Sequence, residues 1–311
     1  MKGNVTVPPE LDGNRLDRCL AALFPHLSRS RIERCIAEGE LQVNGRIQLR
    51  KSRIVHSGDR LELQMPAQEE ALPQSSNHLH LLYRDDDILV IHKPVGIAVH
   101  PGAGERRETI MDIFLRDYPE AAASCADSER PGIVHRLDRD TSGVLILARH
   151  RRSMRRLMRQ FNQRQIHKSY LGLVHGIPRI PTGVIDAPLV RSRRDRRRIT
   201  VARRTDEVGV RDAVTRFELL LRLKDCSLLR LNPLTGRTHQ LRVHMRHFGT
   251  PILGDEWYGK TQDDFPRLAL HAHDIRFNHP ETGLALHVYS PMPAEFLEFI
   301  RSNREPRNPF P

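Results

Sequence analysis

The chain has 311 residues, and its 50 lysines and arginines against 38 aspartates and glutamates leave a formal charge of +12. With 39% hydrophobic and 5% aromatic residues, it can hold one large domain or two ordinary ones around an aliphatic core. No apolar stretch approaches the about 20 residues that cross a bilayer, and MKGNVTVPPELDG lacks the apolar core of a secretory signal. The positive charge is therefore expected to meet nucleic acid, not a membrane, in the cytoplasm. Cys19, Cys35, Cys125 and Cys226 contain no C-x-x-C pair, which argues against a zinc ribbon or disulfide framework and for reduced thiols.

In chain order, RLDRCLAALF sets Leu16, Cys19, Leu20 and Leu23 at the i, i+3, i+4, i+7 spacing of an amphipathic helix. A second helix is expected from Ser28 or Ser30, with Glu33 closing a capping box, to Gly39. Ile32, Cys35 and Ile36 form its apolar stripe, and Arg29, Arg31 and Arg34 lie mainly on the opposite face. LQVNGRIQL then carries Asn44-Gly45, the two-residue hairpin signal. Helix, basic helix and small hairpin in this order resemble the S4 RNA-binding module. The resemblance implies a cationic helix face, Arg29, Arg31 and Arg34, aimed at phosphates. The expected division is an extension over 1–14, the S4-like module over 15–63, a proline-containing polar linker over 64–78, a second domain over 79–303 and a frayed tail over 304–311.

The second domain opens with strand-like runs at Ile88 to Ile91 and Ile97 to Val99 around Lys93-Pro94. Gly102-Ala103-Gly104 is followed by Arg107, where a dinucleotide loop needs a third glycine. Farther on, PGIVHRLDRDTSGVLILAR places Asp138 in a turn just before the apolar strand Val144 to Ala148. An aspartate in a polar turn is by itself more often a turn former. Here Arg136 and Arg139 flank it, and nearby guanidinium groups favour an ionised nucleophile. The kinase catalytic loop does not fit, because Leu137 intervenes before Asp138 and no asparagine stands at the metal-binding offset.

Beyond it, RRSMRRLMRQFNQRQ reads as a helix with a Met154, Leu157, Met158, Phe161 stripe, and HKSYLGLVHG as a strand containing Tyr170. RSRRDRRRITVARR, from Arg191 to Arg204, is the most basic segment. It is expected to project as a loop or hairpin and to contact RNA backbone through Arg196, Arg197 and Arg198. NPLTGRTHQLRVHM follows, and His239, His244 and His247 have no standard metal-site spacing. MPAEFLEFI reads as a final helix.

HRLDRDTSG, HPGAG, K-x-Y and TGRTHQLRVH together resemble the RluA-type pseudouridine synthases, in particular their S4-bearing branch acting on large-subunit ribosomal RNA. The resemblance covers nearly the whole chain. It implies an α+β protein: a small S4-like module followed by a mixed, largely antiparallel catalytic domain. It also implies isomerisation of uridine to pseudouridine in RNA, most readily 23S ribosomal RNA, with tRNA or a non-catalytic assembly role as alternatives. Asp138 then maps to the nucleophile, attacking ribose C1′ or the uracil ring, with a C2′-proton route also open. Arg242 maps to its paired arginine, Tyr170 to the active-site tyrosine, and Arg136 to the residue entering the space of the flipped nucleotide. Arg237 is placed near phosphate. The implied chemistry needs no metal and no small-molecule cofactor, and the chain is expected to work as a monomer without a membrane partner.

Overall fold

The structure, a computed structural model, describes residues 2–24, 29–37, 39–64, 78–101, 107–125, 128, 130–204, 206, 208–260 and 265–304. The chain divides into two compact units, Met1–Ser76 and Asn77–Pro311. The expected linker over 64–78 and tail over 304–311 fall almost wholly outside the described residues.

In the first unit, β1 (Lys2–Thr6), helices α1 (Leu16–Leu23) and α2 (Arg29–Ala37), then β2 (Leu41–Val43), β3 (Arg46–Ile47) and β4 (Arg60–Gln64) form an antiparallel sheet in the order β1-β4-β2-β3 with two helices. The expected stripes are the buried ones: Leu16, Cys19 and Leu20 from α1 meet Ile32, Cys35 and Ile36 from α2, over Leu41, Leu61 and Leu63. Asn44 and Gly45 both take positive φ, 53° and 76°, as a two-residue hairpin turn requires. Lys2–Thr6, read from the sequence as an extension, instead pairs along β4. Its partner lies nearly sixty residues away, beyond any local pattern. The side chains of Arg29, Arg31 and Arg34 lie outside the described residues.

The second unit adds β5 (His80–Arg84), β6 (Ile88–Lys93), α3 (Ile110–Asp117), α4 (Pro119–Ser124), β7 (Ser142–Ala148), α5 (Arg151–Asn162), β8 (His167–His175) and β9 (Thr182–Asp186). After these come the hairpin β10 (Leu189–Arg191) and β11 (Ile199–Val201), β12 (Val214–Arg222), β13 (Cys226–Pro233), α6 (Gln240–Phe248), β14 (Leu270–Asn278), β15 (Ala285–Tyr289) and α7 (Ala294–Ser302). The large sheet runs β5-β6-β7-β14-β8-β13-β12-β9, with β15 on β14. Every described pairing in it is antiparallel except β7 with β14. At that parallel contact Gly143 has φ +117°, and a Cβ there would stand 2.1 Å from the Ala272 carbonyl oxygen. Only glycine fits that approach.

Two expectations change. Ile97–Val99 is not a strand: the carbonyls of Ala98 and Val99 accept the N–H groups of Ile110 and Met111 at the start of α3, so they serve a helix terminus. On α5, Met154 and Leu157 are buried but Met158 is 43% exposed. The buried arc is shifted toward Ser153, whose hydroxyl donates to the Asp87 and His150 carbonyls. All four cysteines are free and buried. Among the described residues, no helix is long and apolar enough to cross a membrane.

Candidate active site

Asp138 sits immediately ahead of β7, whose seven residues are all buried. Its loop is clipped from below by Lys93, which is 0% exposed. The Lys93 ammonium donates to the carbonyls of Pro94 (2.7 Å), Ile97 and Arg139 (2.9 Å each). Burial draws the Lys93 pKa down to about 7 against the opposing charges of Asp140 and Asp138. The carboxylate itself stays partly open, at 19% side-chain exposure. It faces two cavities: one of about 1130 Å³ rimmed by Arg136, Arg139, Lys260 and Arg267, and one of about 510 Å³ lined by Tyr170, Lys168, Arg237 and Arg242.

Tyr170 lies mid-sheet, opposite Ala272 on β14 and Leu231 on β13. Burial, reinforced by the Asp138 charge, raises its phenol pKa, so the hydroxyl keeps its proton at neutral pH and can donate.

Arg242 projects from α6, and its principal partner is one the sequence reading missed. Its Nε and Nη2 donate to both oxygens of Asp255, at 2.8 and 2.7 Å, while Nη1 reaches Asp138 at only 3.5 Å. Asp255 is fully buried and also accepts the N–H groups of Trp257 and Tyr258 at 3.0 Å. The guanidinium lies 5.6 Å from the Trp257 ring and 5.0 Å from the Tyr258 ring. Asp255 thus holds the fork, and one arm is left to face Asp138.

His239 caps α6 in the left-handed region, φ 53°, with Nε2 at 4.0 Å from Asp138. Burial lowers its pKa, partly opposed by Asp138, so the ring is neutral at pH 7. The Tyr258 hydroxyl accepts the Ile199 N–H at 2.8 Å and lies 2.9 Å from His239 Nδ1. His244 instead joins Thr215 to the Ala187 carbonyl, a buried structural link.

Arg136 is exposed, lines both cavities and comes within 3.4 Å of His100 Nε2. Arg237 donates Nε to the Asp212 carbonyl at the turn before α6. The basic segment forms the hairpin β10–β11, with Arg196, Arg197 and Arg198 exposed between the strands. Arg197 pairs with Asp195, and Arg198 donates to the Trp257 carbonyl.

A family model described as RNA pseudouridylate synthase matches residues 87–247, the stretch that carries Asp138, Tyr170 and Arg242. The chain belongs to that family. A second model, the S4 domain, matches residues 14–61 of the synthase. Its relatives include ribosomal large subunit pseudouridine synthase D of Pseudomonas aeruginosa, 38% identical over 98% of this chain and 96% of its own length. An uncharacterised RNA pseudouridine synthase of Synechocystis is 37% identical over 93% of this chain and 88% of its own. Among solved structures, human RNA pseudouridylate synthase domain containing 1 superposes with a TM-score of 0.58 and 25% identity, over 75% of this chain and 99% of its own. The synthase is therefore an RNA-modifying isomerase of the RluA type with an N-terminal S4 RNA-binding module.

Proposed function

We propose that the synthase converts uridines of 23S ribosomal RNA to pseudouridine, with Asp138 as the nucleophile. The observation that carries this reading is the convergence on one cavity of Asp138, the protonated Tyr170 and the Asp255-held Arg242. A carboxylate at the mouth of a cavity forms a covalent adduct with the entering nucleotide. The N1–C1′ bond breaks, the uracil turns, C5 takes the place of N1 and the bond to Asp138 is broken again, with the C5 proton lost and a proton gained at N1. Arg242 orients the carboxylate with its free arm. Tyr170 stacks on the base or passes a proton.

A uridine in structured RNA must leave its stack first, at about a few kcal/mol. Arg136, exposed beside both cavities, fills the space it leaves in this reading, and Arg237 meets phosphate at the cavity edge. Arg29, Arg31 and Arg34 of the S4 module and Arg196, Arg197 and Arg198 of the hairpin hold the RNA backbone. The ribosomal target is supported by the S4 match and by the naming of the Pseudomonas aeruginosa relative, and such a target places the synthase in the cytoplasm.

Two measurements test this. Asp138→Asn should fold and bind RNA yet turn over nothing; near wild-type turnover would remove the nucleophile assignment. Pseudouridine mapping of all cellular RNA with and without the gene should lose sites in 23S ribosomal RNA. Loss confined to tRNA would move the substrate there.

A further inference from the structure

We propose that Lys168 binds the phosphodiester next to the target uridine and so fixes the extruded nucleotide over Asp138. Lys168 and Tyr170 are two apart on β8 and so point to one face, where both line the 510 Å³ cavity with Asp138. Among the other cations lining this cavity, Arg242 is held by Asp255, Arg237 gives its Nε to the Asp212 carbonyl and Arg136 lies 3.4 Å from His100 Nε2, while Arg164 is exposed to solvent.

Lys168 differs. Among the described residues its ammonium has no ion pair or hydrogen bond; its recorded neighbour is the Phe161 ring, 5.9 Å away. Burial lowers its pKa with no carboxylate opposing, and among the described residues it makes no ion pair with Asp138, although both line the cavity. A desolvated cation without a partner is unfavourable, and such a group is retained where a ligand supplies the missing anion. The anion an RNA substrate brings is its phosphodiester.

The opposite wall admits it. Gly236 faces the ammonium, and a Cβ added there would stand 3.6 Å from Nζ. The turn ahead of α6 therefore presents bare backbone to the sugar–phosphate chain. His135 and Phe161, stacked at 4.8 Å, close that end of the cavity. Burial takes the His135 pKa down to about 3, so its ring is neutral and does not compete for the anion.

This inference rests on the Asp138 cavity being the active site. The test uses a short synthetic oligoribonucleotide that the synthase converts, made with native linkages or with one neutral methylphosphonate on the 5′ or the 3′ side of the target uridine. Lys168→Met should raise KM about ten- to hundredfold, the loss of a hydrogen bond to a charged group, and lower kcat far less. The log–log salt slope of binding should fall by about 0.7. One of the two neutral linkages should weaken binding to the wild type and cost nothing further in Lys168→Met, while Lys168→Arg restores most of the affinity.

Equal linkage penalties in wild type and Lys168→Met overturn the inference, as does a fall in kcat at unchanged KM. If Lys168→Met does not fold, the wild type decides: neither neutral linkage lowering the salt slope overturns it too. Asp138→Asn separates the two readings. Turnover by that variant removes the cavity as active site, whereas unequal linkage effects alone concern Lys168.

Discussion

Asp255→Asn should weaken the catalytic unit far more than Asp138→Asn, although both carboxylates face one guanidinium. The Asp255 side chain is 0% exposed and takes both arms of the Arg242 fork at 2.7 and 2.8 Å; Asp138 is 19% exposed and meets one arm at 3.5 Å. Removing one partner of a buried pair costs about 3–5 kcal/mol. The lower end applies here, because Asp138 remains as a second anion and the asparagine oxygen can still accept a backbone N–H. At about 2–4 °C per kcal/mol for a unit of this size, Asp255→Asn should lower Tm by about 6–12 °C. A long, partly solvated contact is worth at most about 1 kcal/mol, so Asp138→Asn should shift Tm by no more than about 4 °C. Trp257 is the single tryptophan of the chain and lies over Arg242, so its fluorescence on heating reports the unfolding of this site. Turnover should fall in both variants. Equal losses of Tm, or an Asp255→Asn protein that melts like the wild type, would refute the assignment of Asp255 as the holder of the fork.

Arg242→Lys should lower both turnover and Tm, since an ammonium cannot make the fork to Asp255 and still reach Asp138; wild-type melting and activity together would show that neither contact matters. Neutralising Arg196 and Arg197 should raise KM and flatten the salt dependence of binding by about 0.7 in log–log slope per lost phosphate contact while sparing kcat. Arg198→Gln should also lower kcat, because Arg198 holds the Trp257 carbonyl, and kinetic constants for the separate variants check this division. Stability should fall with acid, because burial depresses the pKa of His271 to about 4 and of His135 to about 3. The unfolded chain takes up these protons first, below about pH 6.5, so the loss begins there and flattens for His271 below about pH 4. At about 1.4 kcal/mol per pH unit for each histidine, urea midpoints from pH 7 to 4.5 should decline steeply, and His271→Gln should make the decline shallower.

Features written into contiguous residues were legible. The stripes of α1 and α2, the Asn44-Gly45 turn, the β7 and β8 strands and the basic hairpin all follow from local period or turn chemistry. Asp138, Tyr170 and Arg242 were found through motif resemblance, and the fold brings them to one cavity. Asp255 was missed because nothing in GDEWYG links it to an arginine thirteen residues earlier; only the packing of α6 against that loop makes the pair. Lys168 stood in the same K-x-Y triplet as Tyr170, but its lack of a counter-ion is a property of its surroundings. Met158 showed the limit of spacing. It falls at the edge of the stripe, and the choice between Met158 and Ser153 for the buried arc was made by hydrogen bonds to carbonyls outside the helix.

The contact at Gly143 has a mechanical consequence. The loop bearing Asp138 runs directly into β7, which is buried along its whole length and at Gly143 lies so close to Ala272 that no side-chain atom fits between, while Lys93 links the loop through the Arg139 carbonyl to the carbonyls of Pro94 and Ile97. The Asp138 carboxylate is thereby anchored to a fully buried, closely packed part of the sheet, with little compliance of its own. Strain arising as substrate and enzyme come together must then be absorbed mainly by the softer body, the polynucleotide. How readily a given uridine reacts will depend on how easily the surrounding RNA can be deformed as well as on the bases that flank it.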